Sequence, residues 1–220
     1  MIGSVVALVP AAGRGERFGG DLPKALVLLD GEPLVVHAVR ALLATRAVTQ
    51  VVVAAPPEHV DAVRALVPDA AVVAGGATRV ASVAAALAVA DPDAEVVLVH
   101  DAARPLAPPA LVDRVAAAVL EGAAAVVPVI PVVDTVKRVD AAGRVLETVD
   151  RADLRAVQTP QGFRRDVLVR AHAGAEDDVT DDAGLVERLG IEVVTVPGDE
   201  RAFKVTTPGD LARAELAVRA

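Results

Sequence analysis

Residues 10–26, PAAGRGERFGGDLPKAL, follow directly on the apolar run SVVALV and set glycines and the cations Arg17 and Lys24 beside what should be a buried strand. Glycines permit positive φ and close backbone approach, so successive amides can converge on phosphate oxygens. Two standard phosphate cradles do not fit. A dinucleotide loop needs G-x-G-x-x-G, and Phe18 stands where the third glycine belongs. The acid that would read the ribose is also missing from the second strand, VVVAAPPEH. A P-loop needs G-x-x-x-x-G-K-[ST]; Gly15 and Gly20 have that spacing, but Asp21 follows in place of lysine. What remains is a loop of amides with two projecting cations. A cation about 4 Å from a phosphate oxygen gains roughly 4 kcal/mol at an effective dielectric of about 20, before its own desolvation is counted. Where negative charge grows as a phosphorus–oxygen bond breaks, such groups lower the barrier as well as bind. A solvated surface loop with incidental basic residues is the alternative reading of this stretch taken alone.

A second candidate group, Asp101 and Arg104 in HDAARP, lies just past the run EVVLV. That is the edge of a sheet where ligands gather, although a carboxylate after a strand also serves as an ordinary loop or cap residue. His100 reads as structural, because the preceding run buries it and no acid–base partner is near it in sequence. The acidic run EDDVTDD, residues 176–182, reads as a solvated turn and a helix N-terminus.

These residues need elements to hold them. Short β-branched runs at 4–9, 50–54, 71–73, 95–99, 123–129 and 192–196 predict buried strands. Helical patterns lie between them at 33–45, 58–67, 78–90 and 108–121, and Thr207-Pro208 reads as an N-cap and first helical residue before a last helix. Such alternation predicts an α/β fold: a mostly parallel, Rossmann-like sheet covered by helices on both faces. The segment 132–151 breaks the alternation with two short alternating runs about the turn DAAG, a hairpin pattern. An isolated hairpin is marginal in water. It reads either as an edge hairpin on its own sheet or as an arm that docks on a second copy of the chain.

Composition bounds the partners. The 220 residues suit a single domain spanning 1–220, and 54% are apolar, mostly Ala and Val, with very few aromatics. No apolar run approaches the roughly 18 residues of a membrane span, and no basic region opens the chain as in a signal peptide. The absence of cysteine excludes disulfides, thiol nucleophiles and thiolate metal sites, and fits a cytoplasmic protein. A net charge of −8 argues against nucleic-acid binding, so an anionic ligand must be held by a few local cations and amides.

The motifs carry a resemblance as well. PAAGRGERF with LPKAL resembles the signature of sugar-phosphate nucleotidyltransferases. With GGATRVASVAAAL, VHDAARP, DTVKRV, TVDR, QTPQGF, VTDDAGLVE and FKVTTPGDL in this order, nearly the whole chain resembles the 2-C-methyl-D-erythritol 4-phosphate cytidylyltransferase family of the non-mevalonate isoprenoid pathway. The resemblance implies a nucleotidyltransferase that moves CMP from CTP to a polyol phosphate. Arg17 and Lys24 would then stabilise charge on the α-phosphate and the departing pyrophosphate. Ala11, Ala12, Gly13, Gly15, Gly76 and Ser82 would approach the nucleotide. Asp101, Arg104, Thr135 and Thr159 would bind the acceptor, with Arg151 and Lys204 acting on it as catalytic cations. The hairpin would reach into a partner subunit of a homodimer. A divalent cation, Mg²⁺, would be held mainly by the CTP phosphates with no protein ligand set, since it favours phosphate and water over all-protein cages. Three positions depart from the family's pattern: Ala77, Arg155 and Ala202. A cytidylyltransferase for another polyol phosphate, such as ribitol 5-phosphate, and a non-catalytic CTP-binding module are the rival readings.

Overall fold

The computed structural model describes residues 4–13, 22–175 and 179–219. β1 (Val5–Pro10) leads into the glycine-bearing loop, beyond which β2 (Leu28–Leu29) and β3 (Glu32–Pro33) form a small ladder. There follow α1 (Leu34–Leu43), β4 (Val48–Ala55), α2 (Val60–Leu66), β5 (Ala71–Ala74) and α3 (Arg79–Val89). β6 (Val96–Val99), α4 (Pro109–Leu120) and β7 (Ala125–Pro131) continue the alternation. The hairpin is β8 (Val136–Val139) and β9 (Val145–Val149). The chain returns through β10 (Arg155–Val157), β11 (Gln161–Arg164), α5 (Arg165–Ala173), α6 (Asp182–Arg188), β12 (Val194–Pro197) and α7 (Pro208–Arg219).

The central sheet has the order β10-β7-β11-β6-β1-β4-β5, with β12 beside β7 as its eighth strand. β1 is parallel to β4 and β6, β4 to β5, and β7 to β12. β11 runs antiparallel between β6 and β7, and β10 is antiparallel to β7. The sheet is therefore mostly parallel, as the alternation predicts, with a mixed half that it does not predict. The short segment QGFR shows no strand pattern, yet three of its four residues are buried. The slot between β6 and β7 supplies ladder partners on both of its edges, and that context overrides weak propensity.

Period-two alternation divides the core. Val5, Ala7 and Val9 point to the face covered by α1, α2 and α4, whereas Val6 and Leu8 point to the face covered by α3, α5 and α6. Both faces are thus shielded, which a parallel sheet requires. Helix α5 stands where no helix is expected, whereas α6 begins at the acidic run read as a helix N-terminus. α7 starts as read: the Thr207 hydroxyl accepts from Asp210 N at 3.2 Å, and the Asp210 carboxylate accepts from Thr207 N at 2.8 Å. Hairpin strands β8 and β9 pair with each other as a separate two-stranded sheet. Val133, Val139, Val145 and Leu146 on this arm are all exposed.

Candidate active site

Three loops meet beyond the carboxyl ends of β1, β5 and β6, where an open α/β sheet gathers its ligands. They line a cavity of about 200 Å³. Pro10–Gly13 continue β1, Gly76–Arg79 join β5 to α3, and Asp101–Ala103 follow β6. Lys24 and Ala25, in the short 3-10 turn Lys24–Leu26, and Lys204 close the remaining sides.

The wall between β5 and α3 is made of small residues for a steric reason. A Cβ on Gly75 would lie 2.6 Å from the Ala12 methyl and 3.0 Å from the Ser82 hydroxyl, so only glycine lets these loops touch. Ser82 is buried and accepts from Gly76 N at 3.2 Å, while its own hydroxyl reaches the Thr78 carbonyl at 2.9 Å. Thr78 caps α3 through its side chain, which accepts from Ala81 N at 3.1 Å. Ala77 presents only a methyl to the cavity. The result is a wall of small side chains and backbone held by close contacts and hydrogen bonds.

Charge is concentrated opposite this wall. Asp101 is buried, with Oδ2 at 2.7 Å from Lys204 Nζ and Oδ1 at 3.4 Å from Arg79 Nε. Burial pushes its carboxyl up, but Arg79 and Lys204, with Arg104 behind them, outweigh that and hold it well below the usual carboxylate range. Arg79 reaches further. Its Nη1 lies 2.6 Å from Asp182 Oδ2, and the other oxygen of that fully buried carboxylate lies 2.9 Å from His172 Nε2. Burial lowers the pKa of Arg79, but its two carboxylate partners raise it overall, so it stays a cation. Removing one member of such a buried pair strands the other charge, at about 3–5 kcal/mol.

Beneath Asp101 a neutral relay fixes the backbone. His100 is fully buried, and burial pushes its pKa down to about 4. The carbonyl of Arg104, 3.2 Å from Nε2, can only accept, so Nε2 carries the proton and Nδ1 accepts from the Thr159 hydroxyl at 3.1 Å. Thr159 Oγ1 in turn accepts from Asp101 N at 3.0 Å. Arg104 is directed away from the cavity: its Nη1 and Nη2 bind the carbonyls of Ala202 and Val157 at 2.7 and 3.2 Å. Val205 N bonds to Ala103 O at 2.8 Å and so sets Lys204 beside Asp101.

Eight of the residues singled out in the sequence therefore line one cavity: Ala11, Ala12, Gly13, Lys24, Gly76, Ser82, Asp101 and Lys204. Thr159 and Arg104 sit behind it: the Thr159 hydroxyl and the two terminal nitrogens of Arg104 bond to protein partners, while the buried Arg104 Nε has none among the described residues. Thr135 and Arg151 are exposed at the two ends of the hairpin, outside the cavity. Arg17 and Gly15 lie outside the described residues, as do Phe18 and Asp21. The acidic run corrects one expectation. Asp181 does cap a helix, accepting from Gly184 N at 3.0 Å, but Asp182 is not solvated; it is fully buried against Arg79 and His172.

The sequence reading overlooks Arg79. A signal for it exists: Arg79 is the first residue of α3, where the helix dipole disfavours a cation unless a carboxylate answers it. Two departures from the family pattern have simple surroundings. Ala202 is fully buried and packs with Ala107 and Leu111. Arg155 is exposed and turns back to the carbonyls of Ala152 and Leu154, each at 2.8 Å.

Similarity to known proteins covers the same ground. The sequence model of the family described as 2-C-methyl-D-erythritol 4-phosphate cytidylyltransferase (IspD) matches residues 5–220. A protein of that name from Frankia casuarinae is 63% identical over 212 residues, covering 96% of this chain and 80% of its own. One from Saccharopolyspora erythraea is 59% identical, covering 96% and 98%. Among solved structures, the enzyme of that name from Thermus thermophilus superposes with a TM-score of 0.82 at 39% identity, covering 97% of this chain and 98% of its own.

Proposed function

The chain belongs to the 2-C-methyl-D-erythritol 4-phosphate cytidylyltransferase family, and from that premise we propose how its residues divide the reaction among them. The activity is transfer of CMP from CTP to 2-C-methyl-D-erythritol 4-phosphate, with release of pyrophosphate and formation of 4-diphosphocytidyl-2-C-methyl-D-erythritol. The observation that carries the division is the single cavity in which a wall of small residues faces Lys24, Arg79, Asp101 and Lys204.

Cytosine and ribose occupy the slot of Ala11, Ala12, Gly13, Gly76 and Ser82, with Gly15 on the same loop. The acceptor phosphate lies toward Lys204 and Asp101, and Arg104 and Thr159 hold that side from behind. An acceptor phosphate oxygen attacks the α-phosphorus of CTP in line, and the bond to the bridging oxygen breaks with its electron pair leaving on pyrophosphate. The nucleophile is already an anion, so no general base is needed. The work left to the protein is positioning and charge stabilisation. Lys24 faces the charge that develops on the α-phosphate and the leaving group, Arg17 is given the same role by its place in the motif, and Lys204 draws the acceptor in.

Magnesium bound to the triphosphate would supply charge neutralisation on its oxygens. The described residues hold no group of three or more His, Asp or Glu side chains suited to a metal, and Asp101 is already balanced by two cations. These residues fit an ion carried by the nucleotide and water, with none of them as its cage.

The exposed arm, with Thr135 and Arg151 at its two ends, supports a homodimer in which each arm completes the acceptor site of the other subunit. Val133, Val139, Val145 and Leu146 give it apolar surface to bury there. No described helix is long and apolar enough to cross a membrane, and the lack of cysteine supports a cytoplasmic setting. The test is CTP turnover against a panel of polyol phosphates, followed by pyrophosphate release. Turnover with ribitol 5-phosphate but not with the methylerythritol phosphate would overturn the acceptor. CTP binding with no pyrophosphate from any acceptor would favour a binding module.

A further inference from the structure

We propose that Asp182 and His172 are positioning residues for the acceptor side of the reaction, acting through Arg79. Neither touches the cavity. Asp182 is fully buried at the start of α6, and His172 is nearly so on α5. Arg79 divides itself unevenly between two carboxylates. Its bond to Asp182 is short, 2.6 Å, whereas its approach to Asp101 is long, 3.4 Å. Asp101 in turn keeps its short contact, 2.7 Å, for Lys204. Two carboxylates and two cations thus form an ordered row: Lys204 tight on Asp101, Arg79 tight on Asp182, and a looser contact between the pairs.

Asp182 is what makes the row uneven. With that carboxylate neutralised, Asp101 is left as the one anion facing Arg79 among the described residues, and the guanidinium fork has every reason to close on it. Arg79 would then compete with Lys204 for the same oxygens and draw Lys204 off its station. His172 has a part because it bonds the second oxygen of Asp182, at 2.9 Å. A carboxylate held at both oxygens cannot rotate, so Oδ2 stays aimed at Arg79. Among the described residues the ring makes no other bond, its buried Nδ1 having no partner there, so the contact through Nε2 is the polar role the described residues show.

Because the proposal rests on Lys204 and Asp101 serving the acceptor, Lys204→Ala is included as a reference variant. Steady-state kinetics on the full chain, with CTP and the methylerythritol phosphate varied separately, should show that Asp182→Asn raises the acceptor KM about tenfold. The CTP KM should stay within about twofold. His172→Ala should raise the acceptor KM in the same direction. His172→Gln, whose amide nitrogen can reach the position of Nε2, should restore it to within about twofold of the parent. A rise in both KM values together under Asp182→Asn, or no rise in either, overturns the proposal. So does a His172→Gln variant as impaired as His172→Ala, and this pair decides the matter if Asp182→Asn does not fold. An acceptor KM unmoved by Lys204→Ala would overturn the acceptor assignment and this inference with it. A raised value in Lys204→Ala with none in the Asp182 and His172 variants removes the inference alone.

Discussion

Acid should destabilise this protein through His100 before it reaches the carboxylates of the site. His100 has no exposed surface, and burial pushes its pKa from 6.5 down to about 4. Its neutral form is built into the fold: Nε2 donates to the Arg104 carbonyl and Nδ1 accepts from Thr159, which holds the Asp101 amide. A second proton would place a charge in the core and deprive the Thr159 hydroxyl of its acceptor. Between pH 6.5 and about 4 the unfolded chain binds a proton at this position and the folded chain does not, so unfolding free energy rises with pH across that window. The contribution is complete above pH 6.5 and lost as pH falls toward 4. A span of about 2.5 pH units at 1.36 kcal/mol each is worth about 3 kcal/mol in all, of which about 2 kcal/mol is lost between pH 7 and pH 4.5. Asp101, whose carboxyl lies below the usual range, loses its own contribution only at more acidic pH. The assay is urea denaturation at stepped pH for the parent and for His100→Gln. The stability gap between them should narrow by about 2 kcal/mol from pH 7 to pH 4.5, which isolates His100 from the other titrating groups. Identical pH dependence in the two proteins would refute the argument that burial, and not a charged partner, sets the state of this ring.

Lys24→Ala should lower kcat about 100-fold or more with little change in acceptor KM, because its charge acts on the breaking bond; single-turnover kinetics read the chemical step directly. Arg151→Ala should leave kcat nearly intact and raise the acceptor KM, and an unchanged value would remove it from the site. Deleting the arm from Asp134 to Asp150 should yield monomers by sedimentation, with little activity, whereas a dimer that survives the deletion would rule out the clasp. Gly75→Ala should cost about 1–3 kcal/mol and raise the CTP KM, since its methyl must displace Ala12 or Ser82; thermal melts and CTP titration check the two halves.

The parallel half of the sheet was legible because its strands carry their own signal. SVVALV, VVVAA and EVVLV are runs of branched residues bounded by turns, and strands buried on both faces read that way. Helix starts at Thr78 and Thr207 were legible from local capping chemistry. The chemical character of the site was also open to reading, since Lys24, Asp101 and Lys204 sit in short motifs at the ends of those strands. β11 was not legible, because a strand made by its two neighbours needs no pattern of its own. The inward turn of Asp182 was hidden for a related reason. An acidic run is ordinarily solvated, and only the packing of α5 and α6 against α3 brings His172, Asp182 and Arg79 together from positions up to 103 residues apart. By itself the sequence determined the chemical types of many of the groups gathered at the strand ends, because residue type and local pattern are short-range properties. Tertiary structure alone decided which of them face the cavity and which stand behind it: Thr159 and the two terminal nitrogens of Arg104 bond inward, and Arg79 is shared between two carboxylates. That allocation follows from distances across the fold, which no local spacing contains.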